Sequence, residues 1–71
     1  MSLVQLFGKN VRAARKKLDW SQEDLAFKSG IKRTYLSEIE GGKRNPTLDV
    51  VERIAGALHQ TASALLDDSD G

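Results

Sequence analysis

The chain contains no cysteine, one proline, one histidine and few aromatic side chains among its 71 residues. Without cysteine, neither a disulfide nor a thiolate-bound metal can hold the fold together. Apolar runs are too short to span a membrane, and the first residues lack the basic-then-apolar pattern of a signal peptide. We therefore expect one small cytoplasmic domain, with no cofactor, metal or membrane partner, that depends on close helix packing.

Sequence motifs for catalysis are absent as well. The chain has no GxxxxGK[ST] loop, no GxGxxG and no HExxH segment. Gly41-Gly42 is typical of a helix stop rather than a phosphate-binding loop. Glu23 and Asp24 fit the acidic residues that favour a helix start, since they would lie near its positive dipole end. We expect no catalytic residue and no enzymatic activity.

Charge is divided unevenly along the chain although its net value is only +1. Residues 1–46 contain ten lysines and arginines against five acidic residues, whereas residues 47–71 contain one arginine against five acidic residues. One end of the domain is therefore cationic and the other anionic. Such a separation would orient the protein towards a polyanion such as nucleic acid, although ordinary surface charge remains the alternative.

Turn signals and apolar spacing predict five helices and no strand. The first helix is predicted over residues 3–18. Ser21 is a predicted N-cap for the second helix, and Gly30 is expected to end it in a left-handed conformation. The third helix runs to about Glu40, while Thr47 and Thr61 are expected to cap the fourth and fifth. The fold class is all-α, one domain over residues 1–71, with frayed ends at about 1–3 and 67–71.

Apolar stripes within these helices predict the core. The first stripe consists of Val4, Phe7, Val11, Ala14 and Leu18. In the fourth helix the corresponding set is Leu48, Val51, Ile54, Ala55 and Leu58. Both recur at the spacings of three and four that place side chains on one helix face.

Residues 22–40 contain the most specific pattern in the chain. Ala26 is small enough to let two helices cross closely, and Gly30 allows a tight turn between them. Leu36 and Ile39, three residues apart, fit the buried edge of the second of these helices. Gln22 falls in the first turn of the other, where free N–H groups favour an anion such as phosphate. The pattern predicts two short helices around a turn, the second with a polar outer face.

This pattern, followed by Gly-Lys-Arg-Asn-Pro-Thr at 42–47, resembles the XRE-type, lambda-repressor-like helix-turn-helix family. The resemblance covers about residues 5–66 and implies a compact five-helix DNA-binding domain with the helix-turn-helix at helices 2 and 3. Residues 22–29, 33–35 and 39–40 are most similar to controller proteins of restriction–modification systems. The resemblance implies a sequence-specific transcriptional regulator of double-stranded DNA. Two departures stand out, Asp19 where the family usually has glycine and His59-Gln60 before the last helix.

The family inserts the start of its third helix into the major groove. Carried over by position, this implies base reading by six side chains, with Arg33 the leading candidate because a guanidinium can bond guanine O6 and N7 together. The six are Lys32, Arg33, Thr34, Tyr35, Ser37 and Glu38. Expected phosphate contacts, which position the protein without reading sequence, are Gln22, Lys43, Arg44 and Asn45. For each residue the alternative is an ordinary solvated surface.

The resemblance also implies that Arg15 and Glu40 form a structural ion pair. Because one headpiece makes few DNA contacts, we expect a homodimer on a near-palindromic site, with Val50, Leu65 and Leu66 at its interface. Leu65 and Leu66 fit an intramolecular core as well. Glu23 is a candidate contact for RNA polymerase. The alternatives are an antitoxin-like protein that binds a protein partner, and an interaction module of the same fold without DNA binding.

Overall fold

The computed structural model describes residues 1–68, and within them the chain forms five α-helices and no strand. Helix α1 spans Leu3–Lys17, α2 Gln22–Ser29, α3 Arg33–Glu40, α4 Leu48–Ala57 and α5 Ala62–Leu65. The prediction of an all-α fold with five helices is confirmed. Residues 69–71, part of the tail expected to fray, lie outside the described residues. None of the five helices is long and apolar enough to cross a membrane.

Side-chain caps mark the start of α1, α2, α4 and α5. The Ser21 hydroxyl accepts from the Asp24 backbone N–H at 3.0 Å, and the Asp24 carboxylate accepts from the Ser21 N–H at 2.8 Å. That second bond, from the Ser21 backbone, lowers the pKa of Asp24 below its ordinary value of 3.8. Thr47 and Thr61 cap α4 and α5, as the sequence predicts. A capping box of Ser2 with Gln5, which the sequence analysis missed, starts α1 within the end expected to fray.

Each of the four connections between helices contains a residue with positive φ, and in the connection from α3 to α4 it is Gly42, with φ of 72°. Gly30 has φ of 71°, and the Ile31 N–H donates to the Ala26 carbonyl at 3.0 Å across this turn. Asp19 after α1 and His59 after α4 both have φ of 57°. These are the two positions where the chain departs from the family pattern. A side chain with a Cβ therefore stands at two places where glycine would fit without steric cost.

The core consists of apolar side chains from all five helices. Phe7, Val11, Leu25, Leu36, Ile39 and Ile54 are its largest fully buried members. Three predicted core residues are not in it: Leu18 is the exposed C-cap of α1, Leu48 is 86% exposed, and Val4 is only half-buried. Leu48 is the first residue of α4, and its side chain lies outside the core although Val50 and Val51 of the same turn are buried. The remaining predicted stripe of α4 is buried.

Helices α1 and α3 approach each other at Gly8. A Cβ on this residue would overlap the carbonyl oxygen of Ile39 and lie 3.1 Å from that of Glu40. Glycine inside a helix costs about 1 kcal/mol relative to alanine, so the position of Gly8 within α1 has no local explanation. The structure supplies the role, because only glycine permits the backbone of α3 to contact α1 at this point.

Candidate nucleic-acid interface

Helix α3 presents a row of polar side chains on the face opposite its buried edge. Leu36 and Ile39 are fully buried, whereas Arg33 and Thr34 are exposed one turn before Ser37 and Glu38. Lys32, the N-cap residue, is exposed beside this row. Its lysine side chain makes no capping hydrogen bond, so the first N–H groups of α3 have no side-chain cap. A helix fixed along one edge can present the opposite row rigidly to a groove.

Arg15 and Glu40 form the ion pair that the resemblance implies. Arg15 Nε donates to Glu40 Oε2 at 2.8 Å, and Nη2 donates to Oε1 at 2.9 Å. The two side chains are only 10% and 3% exposed, and Arg15 Nη1 also donates to the Trp20 carbonyl at 2.7 Å. The hydrogen bond to Glu40 raises the pKa of Arg15 above its already high ordinary value. The pair joins α1 to the end of α3 directly behind the exposed row.

Gln22 connects this buried pair to the exposed row. Its Nε2 donates to Glu40 Oε1 at 3.1 Å, and its Oε1 accepts from Arg33 Nη1 at 3.2 Å. A carboxylate can only accept and a guanidinium can only donate, so the two partners determine which way the amide points. Gln22, expected as a phosphate contact, is half-buried, and both polar atoms of its side chain already have a hydrogen-bond partner within the protein. Its side chain positions Arg33.

Arg44, another expected phosphate contact, is also held within the protein. Its Nη1 lies 2.9 Å from Glu38 Oε1, and its guanidinium lies 4.7 Å from the centre of the Tyr35 ring. Both charged side chains are about half exposed, so the ion pair contributes little to stability. Tyr35 is half-buried against the core. These contacts connect the loop after α3 to helix α3 itself.

The other predicted phosphate contacts, Lys43 and Asn45, are exposed in the same loop. Sequence reasoning gave no role to Arg12, which is exposed on α1 at the rim of a polar depression beside the α3 row. Gln22, Ser37 and Gly41 line the same depression. Arg12 could have been noticed as a cation off the apolar stripe of α1, but only the packing of α1 against α3 places it there.

Two of the three residues expected at a dimer interface are core residues of the single chain. Leu65 is 2% exposed and Val50 is 9% exposed, which leaves too little apolar surface for a partner to cover. The Leu65 side chain packs in the apolar core, and its carbonyl accepts from the Asn10 side chain of α1 at 2.8 Å. Leu66 is half-buried. Leu65 thus has the intramolecular core position that was its alternative, and Val50 is buried in the same core.

The geometry can be compared with known proteins. The sequence profile of the helix-turn-helix family matches residues 11–65. The chain belongs to this family. The chain is 49% identical over 63 residues to the control protein C.BamHI of Bacillus amyloliquefaciens, which covers 87% of the chain and 78% of that protein. The expected resemblance to controller proteins is confirmed.

Solved structures of helix-turn-helix proteins share the fold. The restriction–modification controller protein C.AhdI of Aeromonas hydrophila superposes with a TM-score of 0.84 at 37% identity, covering 87% of this chain and 94% of that one. SinR, a master regulator for biofilm formation solved in complex with DNA, gives a TM-score of 0.82 at 32% identity, covering 86% and 98%. Among residues 1–68 no group of acidic or histidine side chains is arranged to hold a metal ion.

Proposed function

We propose that this helix-turn-helix protein is a cytoplasmic, sequence-specific transcriptional regulator that binds double-stranded DNA as a dimer on a near-palindromic operator. The observation that carries the proposal is the exposed row of Arg33, Thr34, Ser37 and Glu38 on a helix anchored by a buried ion pair. Similarity to a regulator solved with DNA supports it. In this proposal α3 enters the major groove, and the two copies of α3 lie about 34 Å apart, one turn of DNA.

Base reading and backbone contact fall to different parts of the surface. Arg33, at the first position of α3, would bond guanine, which is worth about 1–3 kcal/mol of discrimination. Thr34 would contact a thymine methyl group, and Glu38 would accept from cytosine. Lys32 and Ser37 complete the reading surface, and Tyr35 would touch the backbone at its edge. Lys43, Arg44, Asn45 and Arg12 surround this surface with groups that can bind phosphate.

The experiment that tests this proposal is selection of bound sites from random DNA with the wild-type protein and with Arg33→Ala. We expect the wild type to enrich a two-fold symmetric sequence containing guanine in each half. Arg33→Ala should relax the preference at that guanine while the rest of the site persists. Binding that ignores sequence, or a preference unchanged by Arg33→Ala, would contradict base reading.

A phosphate contact has a different signature, and Lys43→Ala is the matched variant. Loss of one lysine–phosphate contact should make the slope of the logarithm of the DNA-binding constant against log[salt] shallower by about 0.9. Affinity should fall by a similar factor for operator and unrelated DNA, since phosphates carry no sequence information. Fluorescence anisotropy titrations at several salt concentrations give the slopes for the wild type and for Lys43→Ala. A change in sequence preference with Lys43→Ala would instead assign Lys43 to base reading.

Contact with RNA polymerase is a further part of the proposal. Glu23 is exposed in the first turn of α2, where its carboxylate is accessible to another protein. Glu23→Ala should leave operator binding unchanged and reduce activation in a reconstituted transcription assay. Equal transcription with both proteins would exclude this contact.

A further inference from the structure

Arg44 is held over the end of α3 from two sides. Its Nη1 donates to Glu38 Oε1 at 2.9 Å, and its guanidinium lies 4.7 Å from the centre of the Tyr35 ring. Tyr35 and Glu38 are three residues apart in α3 and are therefore neighbours on one helix face. Glu38 is a proposed base reader and Arg44 a proposed phosphate contact. In the free protein these two kinds of group are thus bonded to each other.

The backbone after α3 holds the loop where this bond can form. The Lys43 N–H donates to the Glu38 carbonyl at 2.9 Å, and the Gly42 N–H donates to the Ile39 carbonyl at 3.0 Å. Gly42 is in the left-handed conformation that turns the chain back over the last turn of a helix. Arg44 directly follows this bonded turn, so the turn brings its side chain close to Glu38.

The bond between Arg44 and Glu38 can be opened at little cost. Their side chains are 54% and 50% exposed, and an ion pair between exposed side chains contributes little to stability. Arg15 and Glu40 are the opposite case, because that pair is almost fully buried and is costly to break. DNA phosphates can therefore compete with Glu38 for Arg44. The exchange, however, leaves the Glu38 carboxylate without its cation.

We propose that Glu38 is a specificity-determining residue that keeps Arg44 from phosphate until the Glu38 carboxylate finds a hydrogen-bond donor on a base. A carboxylate can only accept, and in the major groove cytosine presents an amino group and no acceptor. Where cytosine is within reach, Glu38 accepts from the base and Arg44 turns to a phosphate. This inference rests on the proposed function, in which α3 enters the major groove.

On unrelated DNA the same exchange is unfavourable. Guanine N7 and O6 and thymine O4 are acceptors, so a Glu38 carboxylate opposite them finds no donor. If Arg44 left for a phosphate there, Glu38 would lie in the groove as a charged group without a partner, which is costly. Arg44 therefore stays with Glu38, and its phosphate contact is made at the operator alone. Specificity gained in this way comes from a penalty on wrong sites.

The first test compares Arg44→Ala with Lys43→Ala on the selected operator and on unrelated DNA. Lys43 is a matched control because it is an exposed cation beside Arg44 in the same loop. Near 0.1 M salt we expect Arg44→Ala to weaken operator binding about 10-fold and binding to unrelated DNA less than about 2-fold. Lys43→Ala should weaken both by a similar factor. An equal loss on the two DNAs with Arg44→Ala would overturn the proposal.

Glu38→Gln should release Arg44 on every sequence. Glutamine has nearly the shape of glutamate and suits a helix, so the variant should fold, as circular dichroism will verify. On unrelated DNA the slope of the logarithm of the DNA-binding constant against log[salt] should become steeper by about 0.9 for each bound copy. In an Arg44→Ala background the same substitution should change this slope far less, because no arginine remains to be released. An unchanged slope with Arg44 present would overturn the proposal.

The second test changes a base instead of the protein. Site selection with Glu38→Ala should identify one cytosine per half-site whose preference is lost. Replacing that cytosine by thymine should make the wild-type salt slope shallower by about 0.9 for each bound copy, because Arg44 returns to Glu38. Replacing the guanine contacted by Arg33 is the control, and should lower affinity with the slope unchanged. Equal slopes for the cytosine and thymine operators, or a Glu38→Ala variant that keeps every base preference, would overturn the proposal.

Failure of this inference can be distinguished from failure of the proposed function. If a sequence is selected but Arg44→Ala weakens operator and unrelated DNA equally, the inference fails and the function stands. If the wild type selects no sequence, the proposed function fails, and binding to unrelated DNA still tests the hold on Arg44. A steeper slope with Glu38→Gln that requires Arg44 would then support that hold, and an unchanged slope would overturn it.

Discussion

Arg33 donates a hydrogen bond from Nη1 to Oε1 of Gln22 at 3.2 Å, and this contact ties the proposed base-reading side chain to the protein's interior. Gln22 in turn donates to the Glu40 carboxylate, which also accepts two hydrogen bonds from Arg15. An arginine has many rotamers, and restricting them before binding lowers the entropy lost in the complex. If Arg33 reads a base as proposed, Gln22 would contribute to discrimination by holding the Arg33 side chain in place.

Gln22→Leu should reduce discrimination between the selected operator and a variant changed at the Arg33 base by about 5–10-fold, since a hydrogen bond contributes about 1 kcal/mol. The measurement is competition binding with the two duplexes. Arg33→Ala provides the control, because Gln22→Leu should cause no further loss of discrimination in that background. An equal loss with and without Arg33 would show that Gln22 acts on DNA directly.

The Arg15–Glu40 pair should be far more sensitive than the surface pair on α4. Arg15→Met leaves the Glu40 carboxylate buried without its cation and should cost about 3–5 kcal/mol of unfolding free energy. Arg53→Met breaks an exposed pair with Asp49 and should cost less than about 1 kcal/mol. Urea denaturation measures both. The double variant Arg15→Met with Glu40→Leu should recover much of the loss, and a small effect of Arg15→Met alone would contradict a structural role.

Gly8 and Gly56 should respond to alanine in opposite directions. A Cβ at Gly8 meets the backbone of Ile39, and such overpacking costs about 1–3 kcal/mol or more. A Cβ at Gly56 meets nothing within 4 Å, so Gly56→Ala should stabilise α4 by up to about 1 kcal/mol. Melting temperatures of the two variants give the comparison. Stabilisation by both substitutions would exclude the close contact between α1 and α3.

The two non-glycine residues with positive φ are sites for stabilisation. Asp19→Gly and His59→Gly each relieve a left-handed conformation that costs about 1–2 kcal/mol, and each loses about 0.5–1 kcal/mol to the greater freedom of unfolded glycine. A net gain of about 0.5–1 kcal/mol should raise the melting temperature by roughly 2–8 °C. Gly30→Ala places a Cβ in the left-handed conformation at φ of 71° and should therefore lower the melting temperature.

Asp24 should give the fold a specific sensitivity to acid. Its pKa is lower in the folded protein than in the unfolded chain, because the Ser21 backbone N–H donates to the carboxylate. The resulting stabilisation is complete above the unfolded pKa and is lost as the pH falls through the folded pKa. Thermal melts between about pH 7 and pH 2 should therefore show wild type and Asp24→Asn converging in acid. A constant difference at every pH would assign the effect to packing.

Local chemistry was predictable from the sequence, and distant packing was less so. Ser21, Thr47 and Gly30 act within a few residues of themselves, so their capping and turn roles were evident. Leu48 fits the apolar stripe of α4 by spacing, but no spacing rule shows that neighbouring helices leave its side chain uncovered. The role of Gly8 depends on Ile39, which lies far along the chain on another helix.

In the candidate site, too, features within one helix were predictable and contacts between elements were not. Helical periodicity separates the outward residues of α3, such as Arg33 and Ser37, from Leu36 and Ile39. Gln22 and Arg44 are each held by a side chain of a different element, Glu40 and Glu38 of α3. Sequence spacing cannot reveal such contacts, because they depend on how α2 and the loop pack around α3. Spacing alone could not decide between a core and an interface role for Val50 and Leu65, because an apolar residue in an amphipathic helix can face either; both are buried in the single chain.

The contact at Gly8 has a consequence for how the surface of α3 could change. Side-chain volumes set the separation of most packed helices, so substitutions in a core usually shift the elements above it. Here backbone meets backbone, and the distance of α3 from α1 has a lower limit that no neighbouring side chain determines. Residues of the exposed row can be exchanged without moving the helix, so new DNA sequences could be recognised on an unchanged frame.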